Sequence, residues 1–246
     1  MNEPTEPSAP QIKSPADKQR ELSHFVMAKT GALFEGLSKG ESQARGRLAR
    51  LRRSAEGDRR LWMLVGDDLF DDNLGKTHWN IALLGEPTEQ NYYFIAAITA
   101  LRFYALHQQS QTENVNASDW SASFGRACAS IGQKDSKDRN DSSGSDSDTA
   151  GPGTGVQRRL YAMERSRSFD ELVVHMRGLV TLLRSTDSAA THVNYGRLAI
   201  DLYHLQLPSQ RERVFREWSR DFYYPHLSHG DSHANGGSQP SASHKN

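Results

Sequence analysis

The stretch NYYFIAAITALRFYALHQ, residues 91–108, is apolar around most of its circumference. Eighteen residues of that character without a glycine or proline predict a central, buried helix rather than a surface one. Phe94, Ile98, Leu101 and Ala105 mark its innermost line. Arg102 falls between Ile95 and Ile98 on the helical wheel, and a guanidinium buried there needs an acid, a carbonyl or a phosphate.

Working towards the N-terminus, Leu22, Phe25, Val26, Leu33 and Leu37 repeat at helical spacing from about Asp17 until Gly40. A basic helix follows at Ala44–Arg60, ARGRLARLRRSAEGDRR, with Ala44, Leu48, Leu51 and Ala55 in one narrow stripe. Arg45 and Arg52 lie on one flank, Arg47 on the other, and Arg50 and Arg53 opposite the stripe. Two readings fit: a phosphate-backbone contact, or a solvated face whose partners come from elsewhere in the fold. Spacing alone does not choose between them. Leu61–Phe70 reads as a short helix, and Thr77–Gln90, with Trp79 and Pro87, gives a weaker helical signal.

Towards the C-terminus, Ser121–Gly132 forms a compact helix that holds the single cysteine, Cys128, as a small buried hydrophobe. Val156, Leu160 and Met163 line the next helix. A capping box at Ser168 and Glu171 launches Phe169, Leu172, Val173, Met176, Leu179, Val180 and Leu183, with Arg177 and Arg184 along one flank. Asn194 caps NYGRLAIDLYHLQ. Ser209 and Glu212 read as a second capping box before a helix with Val214, Phe215, Trp218 and Phe222 inward. No stretch shows a strand's two-residue alternation, so the predicted fold is all-α, a helical bundle.

Composition divides it. Residues 133–155 are rich in Ser, Asp and Gly and poor in apolar side chains, which predicts a flexible acidic linker. The expected organisation is a disordered tail at 1–16, a helical half at 17–132, the linker at 133–155, a second helical half at 156–224 and a disordered tail at 225–246. Thirty basic residues balance 30 acidic ones, so any basic surface must be local. One cysteine excludes an internal disulfide framework, and no apolar run approaches a bilayer's thickness. With no signal-peptide pattern at the start, the chain is expected to be cytoplasmic, with no membrane partner.

Asp67, Asp68, Asp71 and Asp72 pair carboxylates as a magnesium-dependent nuclease might arrange them, but no second acidic or histidine group completes the site. His226, His229 and His233 have ligand-like spacing within a Ser/Gly/Asn tail, which suits adventitious metal only. There is no nucleophile context, glycine-rich phosphate loop or cysteine cluster. Phe94, Tyr104 and Trp218 are read as core. The expectation is no enzyme, no metal and no cofactor.

Several stretches together resemble the CasB family, the small subunit of the type I-E CRISPR surveillance complex called Cascade. They are ARLRRS, LRFYALH, SFGRA, VQRRLYAMERS, FDELVVHMRGLVTLL, YGRLAIDLYHL and REWSRDFY, in family order from about Gly40 to Tyr223. The resemblance implies a non-catalytic helical protein, present as a head-to-tail pair beside other Cascade subunits. It also implies contacts with CRISPR RNA and with the target and displaced DNA strands. Carried onto this sequence, those contacts are Arg52, Arg53, Arg102, Arg126, Arg158, Arg159 and Arg177. The acidic linker departs from the family's short connection and sets aspartates near Arg126 and Arg158 in sequence. The alternative is a helical protein–protein scaffold whose arginines pair with an acidic partner.

Overall fold

The computed structural model describes residues 14–55, 66, 70–131, 154–186 and 188–225. The expected linker and both tails lie almost wholly outside the described residues, as does most of Leu61–Phe70. Within the described residues the chain is helical, and the one β-like feature is an isolated parallel bridge between Asn116 and Val193.

Helix α1 (Pro15–Ser38) begins two residues before the periodicity suggests. Ser14 caps it, accepting from the Asp17 backbone N–H at 3.2 Å, while the Asp17 carboxylate accepts from the Ser14 N–H at 3.0 Å. Gly40, at φ +76°, turns the chain into α2 (Ser42–Ala55). A single turn, α3 (Ile81–Leu84), is all that the weak 77–90 signal yields. Then come α4 (Tyr92–His107), α5 (124–131), α6 (Thr154–Arg165), α7 (Phe169–Ser185), α8 (Tyr195–Leu205) and α9 (Pro208–Tyr223).

Helix α4 is the centre, as its composition dictates, and it packs against α1, α2, α7 and α8. Phe94, Ile98, Leu101 and Ala105 are all buried, and Tyr104 and Trp218 are core residues too. Edge-to-face rings extend the core sideways: Phe25 meets Trp79 at 5.3 Å and Trp79 meets Phe94 at 5.4 Å. Helix α1 crosses α8 so closely that a Cβ on Gly196 would run into Ser23 and Met27. The two helical stretches on either side of the acidic segment therefore share one hydrophobic core. Asn116 fastens this junction. Its Nδ2 donates to Thr30 Oγ1 on α1 at 2.8 Å, and its Oδ1 accepts from the Tyr195 N–H at 3.0 Å.

Caps show where sequence reading succeeds and where it slips. Asn194 accepts from the Arg197 N–H at 2.8 Å, and Ser168 from the Glu171 N–H at 3.1 Å. Ser209 and Glu212 do not form a box. Pro208 already occupies the first turn of α9, so Ser209 lies inside the helix, and Leu207 at the cap position offers no side-chain acceptor.

Beneath α8 and α9 sits a buried polar group. Trp218 Nε1 donates to Asp201 Oδ2 at 2.8 Å, and Arg197 Nη2 reaches Asp221 Oδ2 at 3.2 Å. Burial raises the Asp201 carboxyl to about 6 despite the opposing charge of Arg197 and the Trp218 bond. The folded chain thus holds that proton more tightly than the unfolded chain, and ionisation costs stability as pH rises through roughly 4 to 6. Asp201→Asn retains an acceptor for Trp218 and abolishes the charge. It should be more stable than the parent above pH 6, by on the order of 2–3 kcal/mol, with the advantage fading by pH 4. Denaturant melts of both proteins across that window measure the difference, which isolates Asp201 from His107 and His204. Burial depresses both histidines, to about 3 and about 4, so they contribute the opposite slope.

Among the described residues no helix is long and apolar enough to cross a membrane.

Candidate nucleic-acid interface

Helix α2 buries Ala44, Leu48 and Leu51 against α1 and α4, and that stripe decides where its arginines go. Arg45 and Arg53 face solvent, while Arg47, Arg50 and Arg52 are half-buried. Arg47 is committed inside the fold through an ion pair with Asp71. The Asp71 carboxylate also accepts from the Asn73 N–H at 3.0 Å, and its carbonyl accepts from the buried Lys29 ammonium at 2.7 Å. The Asn73 N–H and the Arg47 guanidinium hold the Asp71 carboxyl below the usual carboxylate range. Burial pulls Lys29 down to about 8 against the pull of Asp71 and Asp72. Asp71 thus serves as a knot joining α1, α2 and the 71–76 turn. Two members of the expected acidic quartet, Asp67 and Asp68, lie outside the described residues. Among the described residues no group of three His, Cys, Asp or Glu side chains could hold a metal ion.

On the other flank, Arg45 and Arg52 line an open hollow of about 550 Å³ with Gln109 and Gln111 of the loop after α4. Gln109 Oε1 accepts from Arg184 Nη1 at 2.6 Å, and Gln111 Nε2 donates to the Arg184 carbonyl at 2.6 Å. One heptad earlier on the same face of α7 is Arg177. Beside it, Gly178 lies under Arg159 of α6, whose Nε is 3.7 Å from where a Cβ would stand. Arg159 Nη1 donates to the Gly155 carbonyl at 3.4 Å, so it braces the start of its own helix while remaining exposed. A row of arginines therefore runs from Arg45 and Arg52 past Arg184, and about 10 Å along α7 past Arg177, to Arg159. Helix α2 and, about a hundred residues later, the consecutive helices α6 and α7 supply it.

The remaining candidates stand differently. Arg53 and Arg158 are exposed, with no partner among the described residues. Arg102 is half-buried on α4 and engaged within the fold, as Arg52, Arg126 and Arg177 also are. Arg126 projects from α5 towards Asp119, whose carboxyl is held low by Ser121 first and by Arg126 last. Arg126 stands apart from the row. Arg45 and Arg184 belong to the row without being sequence candidates. A signal for them existed, since each lies seven residues from a candidate, and on an α-helix that spacing means one face about 10 Å along.

A family model described as CRISPR-associated protein Cse2 matches residues 47–223. A crystal structure of CasB from Thermobifida fusca superposes with a TM-score of 0.57 at 25% identity, covering 82% of this chain and 98% of that one. A Cse2-family CRISPR-associated protein from Thermus thermophilus aligns with a TM-score of 0.49 at 18% identity, over 86% of this chain and 99% of that one. Comparison with curated proteins found no match. The family match runs from the second turn of α2 to the last residue of α9, well over half of the chain, and so the chain belongs to the CRISPR-associated Cse2 family.

Proposed function

We propose that this chain is the non-catalytic small subunit of a type I-E Cascade complex. In this reading its arginine row holds the backbones of guide RNA and target DNA and steadies the displaced DNA strand. Its partners are the other Cascade subunits, a second copy of itself and the nucleic acids. The observation that supports it most is the row of arginines that α2, α7 and α6 supply, Arg52, Arg177 and Arg159 among them, with Arg53 and Arg158 exposed on two of the same helices. The role needs no base reading. Guide pairing selects the sequence, and backbone contacts tip a nearly balanced strand exchange towards the open loop. Arginines on rigid helices suit that task, because their planar, permanently charged forks match phosphate oxygens.

The test is R-loop formation by assembled complex carrying Arg52→Ala, Arg53→Ala and Arg158→Ala together. Assembly should be intact, R-loops weaker, and the log–log salt slope shallower by about 0.7–0.9 for each phosphate no longer neutralised. A wild-type R-loop yield with an unchanged slope sinks the reading. Failed assembly, with normal loops from whatever complex does form, favours the protein scaffold instead.

A further inference from the structure

Helix α6 carries Arg158, Tyr161 and Arg165 at i, i+3 and i+7, which places them in one stripe. All three are exposed, Tyr161 to 52%. A tyrosine recruited for packing buries its ring, and this one keeps half of it in water. Next to it stands Tyr223, 51% exposed at the end of α9. Gln157 joins the two: its Nε2 donates to the Tyr161 hydroxyl at 3.2 Å and to the Tyr223 hydroxyl as well. Behind them Leu160, Phe215 and Trp218 close a narrow slot. The rings are thus backed by core and tethered at their hydroxyls, and each is about half exposed, with Phe222 edge-on to Tyr223 at 5.1 Å.

The charge on this face of α6 is mostly positive. Neither Arg158 nor Arg165 has a partner among the described residues. Glu164 is the single acid lining the slot, and its charge acts on Arg211 of α9. Exposed aromatic rings set between exposed guanidinia supply the two components of a sequence-tolerant single-strand site, stacking for the bases and charge for the backbone. A duplex cannot use the first component, because its base faces are already covered by neighbouring pairs.

We infer that the Tyr161–Tyr223 patch is a stacking platform for single-stranded nucleic acid, with Arg158 and Arg165 holding the phosphates on either side. The inference rests on the nucleic-acid reading above and adds what that reading lacks, a preference for unpaired bases.

The experiment titrates the full-length chain with a short labelled oligothymidine, with a strand of equal length made of abasic sites, and with the matching duplex. The base-bearing single strand should bind roughly 5- to 100-fold tighter than the abasic one. Tyr161→Leu with Tyr223→Leu should erase that difference and leave the salt slope unchanged, because the arginines remain. Tyr161→Phe with Tyr223→Phe keeps the faces and should keep the preference. Equal binding of base-bearing and abasic strands overturns the inference, as does no detectable binding of the oligothymidine, and neither result touches the R-loop test. Leucine variants that retain the base preference but fail to enter the complex also overturn it, and make the patch a protein contact.

Discussion

Asp221→Ala should lower the free energy of unfolding by about 3–5 kcal/mol, the cost of leaving a buried charge without its counter-ion. Asp221 is 2% exposed and takes Arg197 Nη2 at 3.2 Å on one oxygen and Arg220 Nη2 at 3.2 Å on the other. Arg220 reaches solvent and can be hydrated after the change. Arg197 cannot: it is 4% exposed, and its remaining described side-chain bond runs from Nη1 to the Trp120 carbonyl at 3.0 Å. That guanidinium fastens α8 to α9 and to the 119–123 turn at once, so its loss loosens three segments. Asp221→Asn preserves volume and one acceptor and should cost less than the alanine. Replacing both partners, with Arg197→Met and Asp221→Leu, should recover much of the loss, since apolar groups fill the space with no charge to desolvate. Urea melts of the four proteins decide it. A penalty for Asp221→Ala below about 1 kcal/mol means that the pair is hydrated and the buried description is wrong.

Gly125→Ala is the second large effect, although it adds one methyl group. A Cβ at Gly125 would collide with the Trp218 carbonyl oxygen and stand 2.8 Å from the Trp218 Cα. Those atoms belong to the backbone of α9, so no rotamer change relieves the clash and α5 must back away. Destabilisation of about 2 kcal/mol or more is expected. The Phe124 and Trp218 rings, 5.0 Å apart, should separate with it, visible as a weakened near-ultraviolet tryptophan signal. Gly178→Ala is the control. Its Cβ would meet only the Arg159 side chain, at 3.7 Å, inside a regular helix, so the change should be neutral or gain about 0.5–1 kcal/mol. Equal penalties at the two sites would show that helix propensity, not close approach, governs both.

These glycines bear on how far the sequence could be read. SFGRA draws attention to Arg126, yet the glycine beside it is what lets α5 reach α9, and nothing local announces an approach to a residue 93 positions away. What is local was legible. Asn194 and Ser168 cap their helices because the acceptor and its N–H lie three residues apart, and α4 is central because its composition leaves no face for water. Arg102 shows a middle case. The wheel places it between Ile95 and Ile98, but Ile95 is itself half-buried, so that side of α4 is an edge and the guanidinium emerges part-way. The arginine row was beyond reach for the opposite reason. A wheel gives each side chain a direction on its own helix, whereas Gln109 and Arg184 meet across 75 residues and Gln157 and Tyr223 across 66. Directions on separate helices become a surface only once the helices are assembled.

The crossing of α1 by α8 also governs how the chain is made. Gln19 on α1 meets His204 on α8 at 3.1 Å, and 185 residues of synthesis separate them. At about 5–20 residues per second a ribosome needs roughly 10–40 s to cover that distance. Throughout it, Leu22, Phe25 and Val26 have emerged while the helix that covers them does not yet exist. Folding from the N-terminus forward therefore cannot close the core, and the nascent chain keeps that apolar surface uncovered until its last quarter appears. A ribosome that stops before residue 195 releases a chain with an open seam, not a smaller version of the protein.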